Sequence, residues 1–577
     1  MRTPRLAARG GFFGDLIALP RVVGCVPELA LASLTINLLS LALPLVLMQV
    51  YDRIVPNRTL ETLIWLVIGF CLALGLEAVL RLCRSTITNW AAARFEHAVG
   101  YDCLLDVVRS RLDAFGQHGV GEYLERFAAL STLRRFFSGQ AVQVALDIPF
   151  AVVFILTIAF LGGATVAWYV IAAIAVYLAA VFLLRPFYQK RRIRQRGLGN
   201  ERFSFVVQAL SGIHTLKALT AEEPMARRYE RLQTDTSRIN FELSLLESLP
   251  ASLAVLCSQL ILFGVILLAG QRVIAGVVTM GGLAACSLLA GRCFQPFASA
   301  AALWLQYADI RAAKEQIAAM QNLPSESPAS APPLPPDIRG DLALERVVYG
   351  SGHGRVHLLD GVDLTVPARS MAGIFPAEGQ ESGTLLQVAM GLLRPVSGAV
   401  RVDDIDLGTV DVADLRGRMA YVPAAGTLFH GSILDNLSCF NPRYRENALD
   451  SAALMGLDSA IAQLPHGYET VVGNRLHEAL PTGVVQRIAL ARALVVRPRI
   501  LLLDAVDGLM DQESLDVMCW LMGKLKGQCT VLLVTSEPRL LGLCDAVYRF
   551  KEGLIEPDPA YATCIPSEIQ TGEPHHE

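Results

Sequence analysis

From Leu29 to Tyr51 the chain carries no charged residue, and as a helix that run is long enough to cross about 30 Å of hydrocarbon. A short polar connection, Asp52 to Glu61, leads into a second apolar stretch from Thr62 to Leu76 that continues past the single Glu77. Ile148 to Leu184 is uncharged throughout and broken at Gly162-Gly163, which predicts two spans joined by a tight turn. Two more apolar runs follow, about Ser248 to Gln271 and Val273 to Gly291, so the pattern predicts six spans. Residues about 81–140 and 185–245 are polar with helical periodicity, as expected of helices that continue beyond the membrane. Within the second of these, Gln208 to Glu223 is interrupted at Ser211-Gly212. That break is either a simple kink or a bend that presents a helix end to a partner domain.

Composition agrees with a membrane protein: 53% of the 577 residues are hydrophobic and the mean hydropathy is +0.43. A net charge of −3 argues against a nucleic-acid partner. Twelve cysteines without any Cys-x-x-Cys pair suggest reduced core residues and neither a metal site nor a disulfide framework. Arg2, Arg5, Arg9 and Arg21 precede the first apolar run, which is too long for a signal peptide and is expected to remain as a span. The basic run Arg185 to Arg196 follows the fourth span, while the opposite connections are short and carry few charges. This distribution predicts cytoplasmic N- and C-termini, with the basic run as an anchor at the anionic leaflet.

Pro324 to Pro336 is a proline-rich linker, and beyond it residues about 338–560 alternate strands and helices. Leu342 to Leu364 suggests antiparallel strands, whereas Ser370 to Phe375, Arg499 to Asp504 and Cys529 to Thr535 suggest buried parallel ones. The expected organisation is an N-terminal segment (1–26), an all-α six-helix transmembrane domain (27–322), the linker (323–337), an α/β P-loop NTPase-like domain (338–560) and a polar tail (561–577).

The α/β domain is organised around Gly373 to Leu386, which follows an apolar strand and carries Gly379 and Gly383 ahead of a helical run. Such a strand, glycine loop and helix wrap backbone N–H groups around an anion. A working loop places a Lys on the β- and γ-phosphates and a hydroxyl on Mg²⁺. Counted back from Thr384, the Lys position is Ser382 and the hydroxyl position is Gly383, while Glu378 and Glu381 add negative charge. A like charge about 4 Å from a phosphate costs about 4 kcal/mol at an effective dielectric near 20. The candidate phosphate-loop residues are therefore Pro376, Gly379, Glu381, Ser382, Gly383 and Thr384, in a loop of the right shape and the wrong chemistry. Asp504, at the end of an apolar run, suits a Mg²⁺-holding carboxylate.

The order of further segments makes a resemblance plain. Arg394-Pro-Val-Ser-Gly-Ala-Val, Tyr421-Val-Pro, Leu428 to Asn436, Gln486 to Leu494, Arg497 to Asp504 and Asp511 resemble an exporter-type ATP-binding cassette (ABC) domain at its usual spacings. Met48 to Asn57 and Leu210 to Leu219 are similar to the permease–ATPases of type 1 secretion systems, without the long N-terminal peptidase-like domain some of them carry. The resemblance implies a half-transporter in a bacterial-type inner membrane that uses ATP and Mg²⁺. Its partners would be the lipid bilayer, a homologous half-transporter, a periplasmic adaptor and an outer-membrane channel.

This sequence departs from that family at nearly every reacting position. The Leu-Ser-Gly-Gly-Gln signature is Leu480-Pro-Thr-Gly-Val484, so that Leu480, Pro481, Thr482, Gly483 and Val484 form only a remnant. The Gln that links Mg²⁺ to the membrane half is Ala424, the general-base Glu is Ala505 and the His after the last strand is Ser536. Tyr349 is the nearest candidate for the ring that stacks on adenine, about two residues out of register. No catalytic residue of the family is intact apart from the metal candidate Asp504, so the expected activity is a pseudo-ATPase with weak or absent ATP binding at its own loop. The expected role is a subunit of a type 1-secretion-like exporter working with an intact partner. A non-transporting membrane scaffold or regulator on the same fold is the alternative.

Overall fold

The computed structural model describes residues 26–116, 119–138, 140–327, 332, 335, 337–350, 357–376, 381–473, 480–551 and 553–558. The chain divides into two compact units, Met1–Val108 with Gln117–Leu323, and Arg109–Gly116 with Pro324–Glu577. The break at Pro324 coincides with the start of the proline-rich stretch. The segment Arg109–Gly116, from the first long polar loop, groups with the second unit through backbone hydrogen bonds from Arg111 N to Pro324 O and from Glu326 N to Arg109 O, each 3.0 Å.

In the first unit, α1 (Val26–Leu39) and α2 (Ala42–Gln49) run into a π-helical turn, Val50–Ile54, that carries the helix on to Asn57. Six helices follow: α3 (Leu60–Val108), α4 (Val120–Ser138), α5 (Gln140–Gly162), α6 (Ala164–Ser211), α7 (Glu222–Ile274) and α8 (Met280–Gln321). Among the described residues five stretches are long and apolar enough to cross a membrane: Pro27–Asn57, Leu60–Val108, Gly121–Gly162, Ala164–Ser211 and Glu222–Ile274. Helix α8 occupies the place of the sixth expected span and is not among the five, since Arg292 and Gln295 interrupt its apolar first half. Its Cys286, Leu289, Ala290 and Cys293 nonetheless share one apolar cluster with Val166, Val170, Ile261 and Val265.

The start expected for that span, Val273, is corrected to Met280. Helix α7 runs through Val273, and the chain then turns at Gly276, whose φ of 73° suits glycine. Thr279 is the N-cap of α8: its hydroxyl accepts from Gly282 N at 3.0 Å and donates to Asp52 Oδ2 at 2.6 Å. Asp52 Oδ1 also accepts from Gly281 N at 2.8 Å, so the motif around Met48–Asn57 holds the start of α8. A second polar staple closes the turn between α5 and α6. Gly163 there has φ 86°, and Arg272 Nη1 donates to Gly162 O at 3.0 Å; a Cβ at Gly163 would stand 1.4 Å from that nitrogen. The conformation favours glycine here, and a Cβ would require the end of the Arg272 side chain to move.

The packing adds to two sequence readings. Within the basic run, Arg192 bonds both carboxylate oxygens of Asp309 on α8, Arg196 pairs with the same Asp309, and Arg191 pairs with Glu242 on α7. Of the ten cysteines among the described residues, Cys103, Cys286, Cys293, Cys529 and Cys544 are buried, whereas Cys71, Cys83 and Cys439 are exposed. The break at Ser211 is present, with a six-residue helix, Ile213–Ala218, between α6 and α7.

In the second unit β1 (Leu342–Gly350) pairs antiparallel with β2 (His357–Val366) and with β4 (Ser397–Val402), and β5 (Ile405–Asp406) completes a four-stranded sheet. The six-stranded sheet has the order β12-β11-β3-β10-β9-β6, where β3 is Met371–Phe375, β6 Met419–Val422, β9 Ile500–Asp504, β10 Thr530–Val534, β11 Ala546–Lys551 and β12 Leu554–Pro557. Two residues each, Gly431–Ser432 (β7) and Val471–Val472 (β8), make a small separate sheet. β6, β9, β10, β3 and β11 are parallel, and β9, β10 and β3 are largely apolar because both faces of the sheet are covered there, whereas β11 exposes Arg549 and Lys551. Alternate residues feed two cores: Leu501, Leu503, Val531 and Leu533 on one side, Ile500, Leu502, Leu532 and Val534 on the other. Helices α9 (Glu381–Ala389), α10 (Thr482–Leu494) and α11 (Gln512–Leu525) pack on this sheet.

The described part of the proline-rich stretch is held against this unit. Glu326 makes a two-pronged ion pair with Arg416, both contacts at 2.8 Å, and Pro332 O accepts from Asp411 N at 3.1 Å. Arg418 donates to Pro335 O.

Candidate functional site

Strand β3 ends at Phe375 and delivers the chain to half-buried Pro376; Gly379 lies outside the described residues, and α9 starts at Glu381. Ser382 and Thr384 are 6% and 7% exposed, packed into the fold. Glu381 Oε2 is buried without a protein hydrogen-bond partner, a cost for a carboxylate at the mouth of a loop whose usual ligand is an anion.

Parallel pairing aligns the ends of β3, β10 and β9, and this brings Asp504 against α9. A Cβ built on Gly383 would lie 3.0 Å from Asp504 Oδ2 and 3.4 Å from Oδ1, so the expected hydroxyl and carboxylate positions are adjacent, but the hydroxyl is missing. Asp504 Oδ2 instead accepts from the Tyr421 hydroxyl at 2.9 Å. Burial pushes the Asp504 carboxyl above its ordinary value while the Tyr421 hydrogen bond pulls it down, and burial pushes the Tyr421 phenol up to about 12. Tyr421 is therefore a donor at neutral pH. For a divalent cation, these residues offer one carboxylate that already accepts a phenol O–H, and glycine where the hydroxyl ligand belongs. That is one protein ligand fewer than a phosphate-loop Mg²⁺ site supplies, with phosphate and water oxygens left to complete the shell.

Beyond Asp504 the chain turns at Ala505, in the left-handed region at φ 43°, with its N–H donating to Val534 O at 3.0 Å. Its methyl group cannot take a proton from water. Ser536 is exposed, and the buried Thr535 before it donates to Asp507 Oδ2 at 2.9 Å. The other oxygen, Asp507 Oδ1, is buried without a protein partner, and burial holds the Asp507 carboxyl above its usual range. Sequence reasoning missed Asp507 and Tyr421. An acidic residue three positions beyond the end of an apolar strand was the available signal for the first; nothing local announced the second.

Ala424 sits in a loop tied down by Gln486, which is 1% exposed, donates to Pro423 O at 3.1 Å and accepts from Gly426 N at 2.8 Å. Leu480 precedes α10, where Pro481 occupies the N-cap without a side-chain bond. Thr482 is exposed, while Gly483 and Val484 are buried; a Cβ on Gly483 would stand 3.0 Å from Ser514 Oγ and 3.4 Å from Asp511 Oδ1. Asp511 caps α11 by accepting from Ser514 N at 2.9 Å. Tyr349 lies on β1 opposite Leu359, in the four-stranded sheet and not in the sheet that ends at Asp504. The structure thus brings Gly383, Asp504 and the Ala505 position together, and ties the loop of Ala424 to Gln486 on α10.

The first unit holds a cavity of about 1000 Å³. Its polar lining includes Tyr188, Arg192, Arg196, Glu247 and Asp309, with Tyr188 donating to Glu247 Oε1 at 3.1 Å.

Residues 28–297 match the family described as ABC transporter transmembrane region, and residues 359–506 match the one described as ABC transporter. The chain belongs to the ABC transporter family. This ABC chain is 28% identical over 559 residues to the cyclolysin secretion/processing ATP-binding protein of Bordetella pertussis, covering 97% of this chain and 78% of that one. It is 26% identical over 549 residues to the alpha-hemolysin translocation ATP-binding protein of Escherichia coli O157:H7, covering 93% and 76%. A bacterial Atm1-family ABC exporter solved with ATP bound has the same fold, with a TM-score of 0.79 at 20% identity over 93% of this chain and 94% of that one. As an ABC exporter the chain thus pairs a helical membrane domain with an α/β cassette, and its ABC transporter domain implies ATP binding.

Proposed function

We propose that this ABC exporter is a non-hydrolysing subunit of a type 1-secretion-like system. It lines part of the translocation path while a homologous half-transporter binds and hydrolyses ATP. The observation that carries the reading is the place where Asp504 meets Gly383: Ser382 stands at the Lys position, Gly383 offers no hydroxyl and Ala505 no general base beside Asp504. Loss of a single positioning or charge-stabilising group costs about 10²–10³ in rate. Such effects within one site do not add, yet here the Lys, hydroxyl, Gln, Glu and His positions are all replaced, at Ser382, Gly383, Ala424, Ala505 and Ser536. Pro481 and Val484 withdraw a hydroxyl, a backbone N–H and an amide from the surface that would face a partner's ATP, and Glu381 repels phosphate at this chain's own loop. Two copies would hold two such sites, which favours a heterodimer over a homodimer.

The proposed setting is a bacterial inner membrane with both termini in the cytoplasm, alongside an adaptor and an outer-membrane channel. The secretion proteins it resembles suggest a polypeptide cargo. The test is the native mass of the tagged protein extracted gently from its own membrane, with ATP turnover measured on the same sample. A second half-transporter in the complex, and turnover that disappears when that partner's phosphate loop is mutated, is the expected result. Turnover by the purified chain alone, abolished by Asp504→Asn, would sink the proposal. A homodimer without turnover would move the assignment to a membrane scaffold.

A further inference from the structure

Helices α6 and α7 are joined along much of their length by polar side chains: Tyr169 donates to Leu260 O at 2.7 Å, Tyr177 to Pro250 O at 3.3 Å, Tyr188 to Glu247 at 3.1 Å and Gln195 to Asn240 at 2.9 Å. Helix α8 meets this pair in two different ways. Around Phe294, whose ring stands edge-on to Tyr177 at 5.1 Å, the contact is apolar. Further along, at the cavity of about 1000 Å³, Asp309 reaches across to α6: Arg192 Nε donates to both of its oxygens at 3.0 Å, and Arg196 pairs with Oδ1. Arg192 also has partners on its own side, since Nη1 donates to Gln195 at 3.0 Å and stands 3.9 Å from Glu247 on α7. The three helices share one more feature at this level: Pro186 lies inside α6, Pro250 inside α7 on the cavity wall, and Pro296 inside α8 shortly before the wall residue Ala298. A proline inside a helix removes an i→i−4 hydrogen bond and marks a point of bending. Both α6 and α8 therefore pass a weakened point before they reach the ion pairs that join them.

We propose that Asp309 with Arg192 and Arg196 is a releasable latch, which holds the part of α8 beyond Pro296 against the α6–α7 pair and so sets the width of the cavity. The inference concerns the membrane unit alone and stands whether or not the cassette hydrolyses ATP. Release leaves Arg192 with Gln195 and with Glu247 close by, so opening does not strand its charge without a partner. Charge is what makes the contact releasable: attraction between partly exposed groups weakens when the charge is screened or removed, whereas apolar packing such as that around Phe294 does not depend on it.

The experiment uses the full-length protein in detergent carrying Ala313→Cys, a position 4% exposed on the cavity wall, one turn past Asp309. A water-soluble maleimide is added, and labelling of each cysteine is followed by peptide mass spectrometry. Exposed Cys439 serves as the reference and buried Cys293 as the reporter of unfolding. With the latch intact, labelling at position 313 should be slow and should accelerate between about 0.1 M and about 1 M salt, as the screening length falls from about 10 Å to about 3 Å. Asp309→Asn should make it about tenfold faster at low salt and remove the salt dependence, because hydrogen bonds between charged groups contribute more than those of a neutral amide. Asp309→Glu should restore slow labelling, with Cys439 labelled alike throughout and Cys293 unlabelled. Labelling at position 313 that responds neither to Asp309→Asn nor to salt would overturn the inference. Labelling of Cys293 that rises in step with it would do the same, since that reports unfolding and not release of a latch. Should Asp309→Asn not fold, the salt dependence with the intact latch decides alone.

Discussion

At the start of α8, Thr279 accepts from Gly282 N and Asp52 accepts from Gly281 N, whereas α10 starts from Pro481 with no side-chain acceptor at all. Both helices face the same problem, because the first N–H groups of any helix lack intrahelical partners. In the membrane unit a carboxylate from a distant segment meets that need. In the cassette the equivalent N-terminus belongs to the signature remnant, the place where an ABC exporter of ordinary sequence meets a nucleotide phosphate. The contrast teaches that this chain keeps its polar chemistry where it joins helices and lacks it where ATP would react.

The comparison is most easily broken at the turn between α5 and α6. Gly163→Ala would place a side chain 1.4 Å from Arg272 Nη1 at a φ of 86°. Strain of about 1–3 kcal/mol in this essentially glycine-only region, with ψ 164°, adds to the loss of an arginine hydrogen bond worth about 1.5–3 kcal/mol, so a destabilisation of about 3 kcal/mol is expected. Thermal or denaturant unfolding of the purified protein measures it, and an unchanged midpoint would mean that the Arg272 staple contributes nothing. Asp52→Ala comes next, at about 2 kcal/mol, because it removes two bonds to a charged acceptor, from Thr279 Oγ1 and Gly281 N. Asp52→Asn retains an acceptor and should lose about half as much in the same assay. Equal losses for both variants would assign the effect to charge and not to capping.

These two staples also show where the sequence was legible. The uncharged run from Ile148 to Leu184 and its Gly162-Gly163 break located α5, the turn and α6, since an apolar run of that length has few alternatives in a membrane. Arg272 as the partner of that turn was not legible, because the pairing depends on a contact between residues far apart in the chain. The start of α8 was misplaced at Val273 for a similar reason: hydropathy runs on through Ile274, and only the cap at Thr279 ends the ambiguity. In the cassette, the buried parallel strand Ile500–Asp504 and the Gly383 position could be taken from local pattern. Tyr421 could not, since the motif around it says nothing about which way a strand residue's hydroxyl points. The ion pairs of Arg191 and Arg196 were not legible either, because their acids, Glu242 and Asp309, lie on other helices.

The contrast between the two helix starts can be sharpened from the other side. Pro481→Ser would give α10 a side-chain acceptor at its N-cap and raise stability by about 1 kcal/mol. It should leave ATP turnover absent, because Ser382, Gly383 and Ala505 are untouched. Turnover appearing with this single change would place the defect in the signature and not in the phosphate loop. That outcome would reverse the order of importance argued for the two halves of the site.

The smallest expected effect is a pH dependence at Asp504, and its sign is informative. Burial raises this carboxyl above its ordinary 3.8, with the Tyr421 hydrogen bond opposing the shift. An acid whose folded value exceeds its unfolded one holds its proton more tightly when folded. Its contribution to stability is therefore complete below the unfolded value and is lost as pH rises through the folded one. Unfolding compared between wild type and Asp504→Asn should show the wild type losing ground as pH rises above the ordinary carboxyl value. Tyr421→Phe removes a donor to the charged form, so its folded value should rise further and the loss, starting at the same unfolded value, should extend to higher pH. The opposite slope, with the wild type gaining on Asp504→Asn as pH rises, would mean that a cation faces the ionised carboxylate. In that case the cassette would keep the metal-binding chemistry that its other positions lack, and the contrast with the membrane unit would no longer hold at Asp504.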